Sequence, residues 1–287
     1  MFGLFKKKGE RPEEEQRVQN TESRQFKEFA SRFLPEELTI LAVTGANGFG
    51  GGKTGKEELW TASIGLTAWM EQDGDEVHQG EFSLTTLADD NLMKFLRSRT
   101  PRDSIIWCKV RPSLDEKRFL LTNLPEPGFS AELGAILREQ KKPVTFREEG
   151  LGTFTLNRTV DWFETELDWL GGQISLVFDV GEDRAGALQN AKALLADAGS
   201  WDKRVREYAA DELLEFANDW SQDMDEDGGA VEVTREQFVE RMELESIEIR
   251  ADGSFQFWFG DGDLFYGHSI WVSGDLENGP NDAAMEG

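Results

Sequence analysis

The chain is poor in the side chains that most often carry out chemistry. Its 287 residues include one cysteine, Cys108, and two histidines, His78 and His268. A lone cysteine excludes an intramolecular disulfide framework and points to a reducing compartment, the cytosol. Two histidines exclude a zinc cluster built on histidine. No stretch reaches the roughly 18 consecutive apolar residues of a transmembrane helix. Basic residues are scarce as well: 31 Lys and Arg stand against 56 Asp and Glu, a net charge of −25. The imbalance is concentrated in residues 151–287, with 9 basic against 31 acidic residues, net −22, whereas residues 1–150 hold 22 against 25, net −3. Such a surface repels phosphate backbones, which argues against nucleic acid, and it attracts basic partners. Solubility is the plainer reading of the same charge. What the chain does have is 20 Phe and 9 Trp. These are ample for packed cores and exclude wholesale disorder, and the length suits two domains.

The first five residues, Met1 to Phe5, are mostly apolar and precede Lys6, Lys7 and Lys8. A secretory signal has the reverse order and a longer apolar core. Such a plug touches an anionic membrane only weakly, so no stable membrane association is expected. Residues 1–25 read as a flexible polar tail. A β-rich N-terminal domain is expected over residues 26–148. Phe26, Phe29, Ala30, Phe33 and Leu34 fall at helical spacing before Pro35. Strands are expected at 38–44, 59–70, 77–87, 105–110 and 118–124, with a helix after Asp89-Asp90. The order β-β-β-α-β-β is that of the OB-fold, a five-stranded barrel. A helix over 130–140, with Ser130 as N-cap, leads to a linker at Lys141-Lys142-Pro143.

An acidic α+β domain is expected over 149–287. Strands are predicted at 153–157 and 174–179, then helices at 185–196, 202–219 and 234–242, the last with a Thr234–Gln237 capping box. Strands at 246–249, 254–259 and 264–273 follow, with a turn at 260–263. Helices packed on an antiparallel sheet is the architecture this order suggests.

Motifs for catalysis fall short of their requirements. Gly45 to Thr54 ends in Gly-Lys-Thr, but a phosphate loop needs its first glycine at position 47, which is Asn47, and a helix starting at Lys53. A mobile hairpin loop is the expectation, with a loop for another ligand left open. Asp223, Asp225 and Asp227 are spaced as calcium ligands, but position twelve is Thr234 rather than a bidentate Glu. No metal or cofactor is therefore assigned. Cys108 reads as a buried thiol. His268 and Ser269 are strand neighbours and point to opposite faces. Asp161, Glu164, Glu166, Asp168, Asp263 and Asp275 leave a carboxylate-based enzyme of unknown type open as the alternative function.

Leu151 to Arg158, Asp161 to Phe163, Trp201 to Leu214, Thr234 to Phe238 and Asp252 to Gly279 together form a long pattern. Over roughly residues 150–287 it resembles an uncharacterised bacterial family catalogued as a domain of unknown function. The resemblance implies a cytoplasmic bacterial protein and no catalytic residue. Phe255, Phe257 and Phe259 alternate with Gln256 and Trp258, so one sheet face should lie under the helices. The other face either exposes Trp258, Tyr266, His268 or Trp271, which with Asp263 are the candidate binding residues, or is covered by the N-terminal domain, the reading slightly favoured. A cytoplasmic module for a basic protein partner, of the acidic-inhibitor or immunity type, is the function these features favour.

Overall fold

The computed structural model describes residues 24–55, 58–224 and 232–287. Residues 1–23 of the expected tail and residues 225–231 of the acidic candidate loop lie outside them. Two compact units divide between Lys142 and Pro143.

The first unit contains strands β1 (Leu38–Thr44), β2 (Gly50–Gly52), β3 (Trp60–Glu71), β4 (His78–Ala88), β5 (Ile105–Pro112), β6 (Arg118–Leu121) and β7 (Glu126–Pro127). Its helices are α1 (Arg24–Ala30), α2 (Asp90–Arg99) and α3 (Ala131–Gln140). Five strands close a barrel: β1 pairs with β3, β3 with β4, β4 with β6, β6 with β5, and β5 with β1 again. The β4–β6 pair is parallel, so the chain must cross over between them, and α2 with β5 makes the crossing. This is the OB-like barrel that the element order implied.

Alternation drives the barrel interior. Ile40, Ala42, Ile64, Leu66, Leu84, Ile106, Cys108 and Val110 form one buried cluster. A bulge between Leu66 and Ala68 breaks the alternation of β3. It turns Trp69 inward, onto His78 at 4.2 Å and Phe119 at 5.1 Å between ring centroids. Ala68 and Met70 then face outward, where Leu133 of α3 covers them. Helix α1 and the turn after it lay Phe29, Ala30 and Phe33 over Leu87 and Leu120. Arg111 closes its end, donating from Nε to the Leu34 carbonyl (2.6 Å) and from Nη2 to the Phe33 carbonyl (3.1 Å).

The second unit runs β8 (Thr145–Glu148), β9 (Gly152–Asn157), β10 (Trp162–Trp169), β11 (Gly172–Asp179), α4 (Arg184–Ala196), α5 (Ala198–Met224), α6 (Arg235–Arg241), β12 (Glu243–Ile249), β13 (Ser254–Gly260), β14 (Ser269–Asp275) and β15 (Gly279–Glu286). One sheet takes the order β15-β14-β13-β12-β11-β10-β9-β8. Every neighbouring pair is antiparallel except β11–β12. That pair is parallel because the three helices form the crossover between them. Phe178, Phe255, Phe257, Phe259, Ile247 and Ile270 face the helices, which return Leu188, Ala191, Leu194, Trp201, Val205 and Ala209. The alanines let helix and sheet approach closely.

Three strands of this unit were not evident in the sequence. β8 pairs with β9 and so belongs to this sheet. In β10, acids at every second position obscure the strand, yet its burial alternates cleanly. Pro280, Asn281 and Asp282 in β15 are poor strand formers, and they are tolerated because β15 lies at the sheet edge. Conversely, the strand expected at 264–273 starts only at Ser269.

Candidate functional site

Each strand of the second unit presents alternate residues to two faces, and among the described residues no helix of this unit packs on the face opposite α4–α6. On that open face Trp258 of β13 and Trp271 of β14 are direct cross-strand partners. Ser273 lies opposite Gln256, and Gln256 opposite Glu248. The same face of β10 carries Trp162, Glu164, Glu166 and Asp168, alternating with buried Phe163, Thr165, Leu167 and Trp169. Asn157 Nδ2 donates to Glu164 Oε2 at 3.2 Å. Glu245 reaches over Gly260, where a Cβ would meet its Oε1 at 3.1 Å. The face thus combines tryptophans held on rigid strands with carboxylates on both sides of them.

Glu248 is the buried acid of this face, 9% exposed. Its flanking Ile247 and Ile249 point into the helix-side core, so alternation forces the carboxylate to the other side. Arg250 answers it: Nε and Nη2 donate to Oε1 at 3.0 and 2.8 Å. The Glu248 carboxylate raises the pKa of that guanidinium above its ordinary value, first through these hydrogen bonds and then through its charge. Neither residue stood out in the sequence. The usable signal was Glu248 sitting between two isoleucines in a strand.

The five candidate binding residues separate into two groups. Trp258 and Trp271 sit together on the open face. Asp263, Tyr266 and His268 belong to the loop before β14. Asp261, 6% exposed, organises that loop. Its Oδ2 accepts from Phe265 N (2.7 Å) and Gly267 N (3.1 Å), and its Oδ1 from Asp263 N (3.3 Å). Asp263 and Tyr266 adopt positive φ in the resulting bend. This side chain–backbone competition is what ends the expected strand. His268 shares the parity of buried Ile270 and so turns to the helix side. There its ring meets Trp220 at 5.4 Å and Nδ1 contacts the Phe265 carbonyl at 2.6 Å. Tyr266 is exposed.

The glycine-rich loop contributes a short strand, β2, that forms a hairpin with β3. Gly50–Gly52 pairs with Ser63, Ala62 and Thr61 of β3. Phe49 is buried in the barrel core beside Met93. A Cβ at Gly51 would fall 2.1 Å from the Met93 methyl, so the flexible Met93 side chain would have to shift to admit one. The exposed positions Gly50–Gly52, Thr61, Ser63 and Gly65 carry no ring and no charge, unlike the stacking platforms of single-strand binders. Burial pushes the Cys108 thiol up to about 12, which keeps it an inert core residue. Among the described residues, no group of three or more His, Cys, Asp or Glu is placed to hold a metal ion, and no helix is long and apolar enough to cross a membrane.

Residues 148–285 match a family described as an uncharacterized protein conserved in bacteria, DUF2262. That match spans the C-terminal unit, referred to below as the DUF2262 domain. Residues 25–140 match a second family, a domain of unknown function designated DUF7021, so the barrel and the sheet each correspond to one family. No curated protein and no solved structure matches the chain. The long pattern noted from Leu151 onward is carried largely by the architecture of the DUF2262 domain: Phe255 and Phe257 build its core, and Asp261 shapes its loop.

Proposed function

We propose that this protein is a cytosolic protein-binding module whose DUF2262 domain docks a basic protein on its open sheet face, in the manner of an acidic inhibitor or immunity-type partner. The observation that carries the reading is the pairing of Trp258 with Trp271 on a face that also bears Glu164, Glu166, Asp168 and Glu245. Tryptophans on rigid strands are strong anchors at interfaces, and the surrounding acids select a basic counterpart. The net charge of −22 on residues 151–287 extends that preference into a long-range field. The single buried Cys108 suits a reducing cytosol.

The test uses the full chain as bait in lysate from a bacterium that carries it, beside a Glu166→Lys/Glu245→Lys variant. Both positions are exposed, so the fold should be unaffected. The expected result is a basic protein retained by the wild type and lost by the variant. Its association rate should fall steeply with salt, because fields are screened beyond roughly 8 Å at physiological ionic strength. Retention of no basic protein, or equal retention by the variant, refutes the reading.

A further inference from the structure

At the β12–β15 end of the open face the sheet is hollowed into a cavity of about 370 Å³. That volume lies within the roughly 300–1,000 Å³ range of small-molecule pockets. Its walls include Glu248, Arg250, Gln256, Trp271, Ser273 and Asn281, drawn from four adjacent strands and the turn after β12. Side chains mounted on paired strands are held in place, as a binding site requires.

The chemistry of the walls discriminates between ligands. Arg250 spends Nε and Nη2 on one oxygen of Glu248, so the two charges offset each other locally. Ser273 Oγ reaches Asn281 Oδ1 at 3.5 Å. Among the described residues, no protein group bonds Glu248 Oε2, Arg250 Nη1, the Gln256 amide, Asn281 Nδ2 or Trp271 Nε1. Free donors and acceptors therefore both line the cavity beside an indole wall. A cation entering here meets the Arg250 guanidinium and several N–H donors. An anion meets the buried Glu248, with Asp252 near enough to act on Arg250. A ligand that is neutral, and whose groups both donate and accept, conflicts with neither. Hydroxyl groups have that property, and the apolar C–H face of a sugar ring matches the face of an indole.

We propose that this pocket binds one ring of a neutral saccharide, its C–H face on Trp271 and its hydroxyls shared among Glu248, Arg250, Gln256 and Asn281. Glu248 Oε2 accepts from a ring hydroxyl. Arg250 Nη1 and the Gln256 and Asn281 amides donate to its neighbours. The site shares Trp271 with the docking patch proposed above and differs from it in chemistry, because it selects against charge rather than for it.

Saturation-transfer NMR on the full chain tests this, with the methyl glycosides of glucose, galactose, mannose and N-acetylglucosamine as probes and arginine amide and inorganic phosphate as charged controls. At least one glycoside should bind with millimolar affinity and shift the tryptophan fluorescence. Trp271→Phe should weaken it, and Gln256→Ala and Asn281→Ala should each weaken it by roughly fivefold, the loss of one hydrogen bond of about 1 kcal/mol. Both amides lie on the sheet surface, so these variants keep the fold where Glu248→Gln risks it. The proposal fails if no glycoside in the panel binds, if binding is unchanged in both amide variants, or if arginine amide or phosphate binds more tightly than every glycoside.

Discussion

Replacing Asp261 by alanine should destabilise the DUF2262 domain by about 3–5 kcal/mol. The carboxylate accepts three backbone N–H groups, from Asp263, Phe265 and Gly267. Hydrogen bonds to a charged group contribute roughly 1.5–3 kcal/mol each, but the three are not equal. The Phe265 amide is buried, so its loss carries the full cost of an unpaired donor. The bonds from Asp263 and Gly267 are only part-buried, and those amides regain water at about 1 kcal/mol apiece. The loop also seats Leu264 and Phe265 in the core, where Phe265 packs on Phe216, Trp220 and Phe238 at 5.9, 6.1 and 6.4 Å between centroids. Urea unfolding of the full chain, followed by tryptophan fluorescence and with the slope against denaturant held as a check, measures the loss. Amide exchange at Phe265 and Gly267 locates it, and both should lose protection in Asp261→Ala. Asp261→Asn, which keeps one acceptor oxygen, should fall between alanine and wild type. A loss under about 1 kcal/mol in Asp261→Ala, with exchange at Phe265 unchanged, would refute the view that this carboxylate bends the chain.

Two further outcomes concern the barrel. Phe49→Ala should cost about 3–5 kcal/mol, the range for a buried phenylalanine, and a loss below 1 kcal/mol in thermal or urea unfolding would show that the glycine ribbon is not part of the core. Cys108 should resist iodoacetamide at pH 8 in the native protein, because a thiol pushed up to about 12 by burial stays protonated there; it should react fully once denatured, and rapid native alkylation contradicts the buried placement.

Features set by near neighbours in the chain were legible in the sequence. The N-caps Asp89, Ser130 and Thr234 each receive the backbone N–H three residues on, an interaction written into four consecutive residues. The alternation of Phe255, Phe257 and Phe259 assigned the helix-side face of β13 without any knowledge of its neighbours. The same holds for the mostly β first half and the α+β second half, since periodicity and turn residues are local signals. Partner choice was not local, and there the sequence was silent or misleading. β15 exists because β14 supplies its hydrogen bonds, against the poor strand propensity of Pro280 to Asp282. The bulge that turns Trp69 into the barrel is seen only when β1 and β4 are laid beside β3. The bend at Asp261 rests on one carboxylate outbidding a strand ladder for three amides. Of the candidate site, Trp258 and Trp271 could be named from alternation, but their pairing came from the β13–β14 register. His268 was lost to the helix side by the parity of β14. Glu248 at the end of β12 and Arg250 in the turn after it meet across two positions of the chain, yet become a pocket only when β13, β14 and β15 bring Gln256, Trp271 and Asn281 around them. A chain encodes its alternation in neighbouring residues, whereas register and closure depend on hydrogen bonds between segments far apart in sequence, and only the folded structure sets those.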